Sequence, residues 1–135
     1  MTIYRIQLNE DDRINYTANH FGDDFPFRIE PFIFTMASNL SRDYKGGYWN
    51  MYELDNGGFY MAPESDTPFQ VSSMNGYKGT LSADGFGIVV CLFAYSHLSF
   101  SDDAAFAEVC GEHYHLLREY MLDHPEVQGI LAAID

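Results

Sequence analysis

Positive charge is scarce in this sequence: seven Lys and Arg stand against 20 Asp and Glu in 135 residues, a formal net charge of −13. A field of that sign repels phosphate and excludes nucleic-acid binding by backbone neutralisation. Cysteine is almost absent. Cys91 and Cys110 have no CxxC spacing, so zinc-finger chemistry is excluded. The opening MTIYRIQLNEDD lacks a signal-peptide plan, and both cysteines therefore read as reduced thiols packed in the core. No apolar run approaches the about 18 residues that a membrane span needs. Repeats, low-complexity tracts and long linkers are also missing, which leaves one domain over residues 1–135.

Aromatic and aliphatic residues are plentiful. Hydrophobic residues make up 47% and aromatics 16%, with 11 Phe and 10 Tyr. A chain of this length buries about two thirds of its unfolded surface, so it offsets its ordering entropy in spite of the charge.

The pattern alternates helix, strands, helix. Thr2 to Leu8 is an edge strand or an ordered tail. Asn9 with Glu10-Asp11-Asp12 marks a helix start, and that helix runs to about His20 and stops at Gly22. A second helix starts near Arg28 to Glu30, with Pro31 in its first turn, and carries Ile29, Phe32, Ile33, Met36 and Leu40 at helical spacing. Next, Tyr48 to Leu54 and Phe59 to Ala62 flank Asn56-Gly57, a type I′ hairpin signal that sets Leu54 opposite Phe59 and Tyr52 opposite Met61. Trp49, Met51, Glu53 and Tyr60 then share the other face. Asn75-Gly76 marks a second hairpin between Phe69 to Met74 and Tyr77 to Leu81, and together the two hairpins make a four-stranded antiparallel meander.

From Ser82 the chain turns helical again, with Ser82 as cap and Asp84 in the first turn. Ile88 to Tyr95 is apolar nearly all round, and periodicity alone leaves a buried strand open; length and the cap favour helix. Ser101-Asp102-Asp103 opens a long helix with Phe106, Val109, Cys110, Leu117, Tyr120 and Met121 on its apolar side. A short helix follows Pro125. The class is α+β, a single compact domain whose meander is flanked by N- and C-terminal helices packed on one face.

Catalytic chemistry finds little support. His113 and His115 diverge by about 200° on a helix, and His20, His97 and His124 are scattered. Gly46-Gly47 and Gly57-Gly58 suit turns, and Gly85 and Gly87 suit close helix packing. The acids are better organised. Glu108, Glu112, Glu119 and Asp123 form a stripe about 22 Å long, relieved only by Arg118. A duplex of that length carries about 13 phosphates, so four carboxylates are too sparse for a stand-alone DNA mimic. If helices cover the Leu54 face, Trp49, Met51 and Tyr60 form an exposed surface suited to protein recognition.

Several strings occur in a telling order. Tyr44-Lys45-Gly46-Gly47-Tyr48-Trp49, Asn56-Gly57-Gly58-Phe59-Tyr60-Met61-Ala62-Pro63, Leu81-Ser82-Ala83-Asp84 with Gly87-Ile88-Val89, Tyr114-His115 with Leu117-Arg118, His124-Pro125-Glu126 and Ala133-Ile134-Asp135 resemble the ArdB/KlcA antirestriction family. The matches run from about residue 40 to the end, and the N-terminal third is only loosely similar. The resemblance implies a small cytoplasmic protein of plasmids or other mobile elements that protects incoming DNA from type I restriction enzymes, with no cofactor, metal or catalytic residue. Its partner is then a type I restriction enzyme or an associated host protein, with no direct nucleic-acid or membrane contact. Candidate contact residues are Asp84, Glu108, Glu112, Glu119, Asp123, Glu126 and Asp135, with Trp49 and Tyr60. Acidic DNA mimicry, a small hydrolase or metal-dependent enzyme, and a module of a larger assembly are the alternatives.

Overall fold

The computed structural model describes residues 2–135 and is α+β. Strand β1 (Arg5–Gln7) leads into helix α1 (Glu10–Phe21), a π-helical turn (Phe25–Ile29) and α2 (Glu30–Leu40). Strands β2 (Trp49–Leu54), β3 (Phe59–Pro63), β4 (Phe69–Ser72) and β5 (Lys78–Leu81) follow. Helices α3 (Ala83–Leu98), α4 (Ala104–Met121) and α5 (Val127–Ile134) complete the chain. Local chemistry accounts for most boundaries. Ser82 Oγ accepts Gly85 N–H at 3.1 Å and Asp103 Oδ1 accepts Phe106 N–H at 3.3 Å, capping α3 and α4. Asn9 stands where a cap belongs, yet its side chain makes no cap bond. The apolar run from Ile88 to Tyr95 is helical, and almost every residue of α3 up to Tyr95 is buried.

The sheet departs from the expected meander. The strands form a three-stranded sheet ordered β1-β2-β3 and a separate β4-β5 hairpin, so there is no four-stranded meander. The N-terminal segment is the edge strand, pairing Ile6 with Glu53. The physical reason lies on the outer edge of β3. There Phe59 C=O accepts the Tyr95 hydroxyl at 2.8 Å, and Met61 N–H and C=O meet the Cys91 sulfur at 3.5 and 3.4 Å. Helix α3 thus occupies the place of a fourth strand and satisfies the edge with side chains. Gly87 permits this approach, since a Cβ there would lie 2.5 Å from Ala62 Cα and 2.6 Å from Met61 O.

The β2-β3 register is also displaced by one residue. Glu53 faces Phe59, Tyr52 faces Tyr60 and Met51 faces Met61. Among the described residues no non-glycine residue has positive φ, so Asn56 cannot serve a type I′ turn. Instead Gly57 N–H bonds Leu54 O at 3.0 Å and Leu54 N–H bonds Gly58 O at 2.9 Å, a three-residue loop with Gly57 in the left-handed region at φ 95°. Tyr60 therefore shares a face with Tyr52 and Ala62.

Helices cover both faces of the three-stranded sheet rather than one. On one side Phe59 packs against Phe21 and Phe25, and Trp49 meets Phe34 and Tyr44 edge-on. On the other, Tyr60 packs against Tyr120 of α4. Trp49 is 4% exposed and Tyr60 fully buried, so the expected aromatic recognition surface does not exist: the N-terminal helices cover the face that holds Trp49, and α4 covers Tyr60.

The α3–β3 contact generates the first prediction. Gly87→Ala should lower unfolding stability by about 1–3 kcal/mol through overpacking. Tyr95→Phe should cost about 1–2 kcal/mol by orphaning a buried carbonyl. Urea denaturation of both variants checks this.

Candidate functional site

The seven candidate acids separate into two groups. Glu108, Glu112 and Glu119 are exposed along α4. Asp123, placed in the helical stripe by sequence, falls in the turn after α4 and is exposed, as is Asp135 at the end of α5. Among the described residues none of these five makes an ion pair. Arg118 does not relieve them: it forms no salt bridge, and its Nη1 is buried without a partner. The cations sit elsewhere. Arg5 pairs with Asp84, and Arg28 with Asp24 and Asp103. Arg42 and Lys78 line a cleft of about 680 Å³ between the end of α2 and the β4-β5 hairpin.

Asp84 and Glu126 are not free surface acids. Asp84 Oδ1 accepts Arg5 Nη1 at 2.5 Å and the Tyr60 hydroxyl at 2.7 Å, while Oδ2 lies 2.8 Å from His124 Nε2. Arg5 also donates to the Tyr60 oxygen at 2.6 Å and lies over the Tyr52 ring at 4.2 Å. Glu126 N–H donates to His124 Nδ1 at 3.0 Å, which assigns the proton of a neutral His124 to Nε2 and directs it at Asp84. Glu126 in turn accepts Ser82 N–H at 2.9 Å and the Ser82 hydroxyl. This clasp ties β1, β3, the start of α3 and the α4–α5 turn together. Sequence reading found Ser82 and Asp84 through the cap but missed Arg5 and His124. Their partners lie 79 and 40 positions away, beyond the reach of any local pattern.

Charge states follow from these contacts. Burial pushes the Asp84 carboxyl up, but hydrogen bonds from His124 and Tyr60 and the Arg5 charge outweigh it and hold the group below its usual range. Burial, reinforced by the Asp84 charge, keeps the Tyr60 phenol protonated. Ser82 Oγ faces Glu126 rather than His124, so the cluster has no serine–histidine contact. The thiols are no better placed: burial pushes Cys91 up to about 12 and Cys110 up to about 11. His113 is buried between Phe21 and Tyr95, whereas His115 is exposed, so the pair diverges as helix geometry requires.

Burial, with a smaller contribution from His20, lowers His113 to about 4. An unfolded histidine titrates near 6.5, so between about pH 6.5 and 4 the unfolded chain binds more protons and stability falls with pH. At pH 5 the loss should be about 2 kcal/mol relative to pH 7. His113→Phe should flatten this window in denaturation curves. Asp84 has the depressed folded value, so its contribution is present above the unfolded Asp value near 4 and is lost only as pH falls lower still. Asp84→Asn should remove that late acid loss and cost about 1–3 kcal/mol at pH 7.

Comparison with known proteins completes the description. Residues 42–135 match the family model described as antirestriction protein. The antirestriction protein KlcA of Escherichia coli is 37% identical over 137 residues, covering 98% of this chain and 94% of KlcA. The uncharacterized protein YfjX of Escherichia coli K12 is also 37% identical, over 96% of this chain and 86% of its own. A solved structure of the KlcA and ArdB proteins superposes with a TM-score of 0.91 at 35% identity, covering 100% of this chain and 96% of that one. Those proteins have a novel fold and antirestriction activity against type I DNA restriction systems in vivo but not in vitro. The α3-on-β3 architecture thus has a solved counterpart over its whole length, and the chain belongs to the antirestriction protein family.

Proposed function

We propose that this chain protects incoming DNA from type I restriction by contacting a protein, either the restriction enzyme or a host factor associated with it. The supporting observation is the activity of the KlcA and ArdB proteins against type I systems in vivo but not in vitro. A mimic that fills the DNA groove needs only the purified enzyme, whereas an inhibitor that depends on a further cellular component fails in a purified mixture. Charge geometry agrees. Glu108 to Glu119 covers about 17 Å of α4, over which a duplex carries about ten phosphates against three carboxylates here. The exposed acids Glu108, Glu112, Glu119 and Asp123 suit a different task, steering association with a basic, DNA-handling protein. Protection in this reading is stoichiometric inhibition and uses no cofactor.

Plating unmodified phage on hosts with and without a type I system tests the reading. Expression of the chain should raise plating efficiency on the restricting host alone; equal restriction with and without the protein would sink it. The variant Glu108→Lys/Glu112→Lys/Glu119→Lys, all at exposed positions, should melt like the parent and protect about tenfold less. Undiminished protection would remove the α4 face from the working surface.

A further inference from the structure

The acids of α4 are not the only feature that fits a partner. Between α1 and the π-helical turn lies a cavity of about 660 Å³ with an apolar floor that includes Phe25, Pro26 and Met51. Ile14 stands at its edge and is 79% exposed, and Phe27, adjacent to Pro26, is 78% exposed. A large apolar side chain such as Ile14, exposed beside an apolar hollow, is the composition of a recognition hot spot.

The charges around it are mostly negative. Glu10, Asp23 and Glu30 line the cavity, and Arg13 is its single cation. Among the described residues Arg13 forms no ion pair with them. Its Nη1 donates to Trp49 O at 2.9 Å, its guanidinium lies 4.8 Å from the Tyr48 ring, and its Nε and Nη2 are sealed from solvent without a partner. Among the described residues Glu30 has neither a side-chain hydrogen bond nor an ion pair, although it is half-buried. Burial raises its carboxyl, and Arg13 offsets this only in part. The hollow therefore offers an apolar floor and an unpaired carboxylate side by side.

We propose that this cavity is a docking pocket for a segment of a partner protein in which an aliphatic or aromatic side chain, seated on Phe25, Pro26 and Met51, is flanked by Lys or Arg that pairs with Glu30. The proposal rests on the reading that protection works through protein contact. Three lining carboxylates repel nucleic acid and favour a basic segment. All the lining residues except Met51 precede residue 42, outside the segment matched by the family model. The pocket would thus supply affinity from the N-terminal third, separately from the charge on α4.

The test is a methyl-NMR titration of the full chain with three capped peptides, Gly-Lys-Phe-Arg-Gly, Gly-Glu-Phe-Glu-Gly and Gly-Lys-Ser-Arg-Gly. The first should shift the Ile14, Ala18 and Met51 methyls, and the other two should bind about tenfold more weakly. Glu30→Gln should weaken the first peptide about fivefold without changing the melting curve. Ile14→Glu, an exposed change, should cut protection in the plating assay about tenfold. No shift at these methyls, equal binding of all three peptides, or full protection by Ile14→Glu would overturn the proposal while the parent chain still protects. Concentration-dependent shifts without peptide would identify a second copy as the occupant and overturn it too. Failure of the parent chain to protect strikes the functional reading instead, whatever the peptides do.

Discussion

The rest of the structure depends on one helix lying along one strand edge. The outer edge of β3 presents backbone groups that must be paired, because both faces of that strand are buried. In most antiparallel sheets the next strand pairs them. Here Tyr95 and Cys91 of α3 do so with a hydroxyl and a thiol, two of the few side-chain groups that bond a carbonyl while remaining at home in an apolar interior. The approach is close enough that position 87 has no room for a side chain. Once α3 is fixed there, β4 is displaced into its own hairpin, and α3 becomes the axis against which α2, α4 and α5 pack.

That constraint also determines where polar chemistry can sit. With α3 buried from Ala83 to Tyr95 save for Asp84 and Phe93, Asp84 in its first turn is the one acid carried to the sheet, and it is fully engaged by Arg5, Tyr60 and His124. Its charge is consumed in holding β1 and the α4–α5 turn. The carboxylates left for a partner come from elements with a free face, among them α4 and the turn after it, the start of α1, and Glu30 at the start of α2. Asp84 and Glu126 differ in this from the other candidate acids, and proximity in sequence says nothing about which way a carboxylate is turned.

The sequence was legible where a feature is local. Ser82 and Asp103 cap the helices they precede, Pro31 sits in the first turn of α2, and Gly85 and Gly87 mark close packing. Asn56-Gly57 located the hairpin but not its register, since the same pair serves a two-residue loop or a three-residue loop with one glycine in the left-handed region. Choosing wrongly moved Tyr60 to the opposite face. The π-helical turn has no periodic signature, and a pattern of five residues with two nearby prolines reads simply as a helix start. The pocket beside it was equally hidden. It brings Glu10 and Glu30 together with Met51, and only the packing of α1 against the sheet creates that neighbourhood.

A net charge of −13 invites comparison with DNA, and the fold shows why the comparison fails while the charge still matters. Imitation requires carboxylates at phosphate spacing along a continuous track. The α4 acids are exposed and unpaired but separated by one or two helical turns, with the exposed His115 between Glu112 and Glu119 while Cys110, His113 and Leu117 turn into the core. Even a helix face with one acid per turn spaces them about 5.4 Å apart, against about 1.7 Å per phosphate charge in a duplex. What such a column can do is act at a distance: over the about 8 Å Debye length at physiological salt it accelerates encounter with a basic surface and adds little once contact is made. Affinity must then come from desolvated apolar contact. In this molecule the exposed aliphatic side chain at the edge of the cavity, Ile14, lies on α1, not on α4. Steering and anchoring are thereby assigned to different elements of the fold.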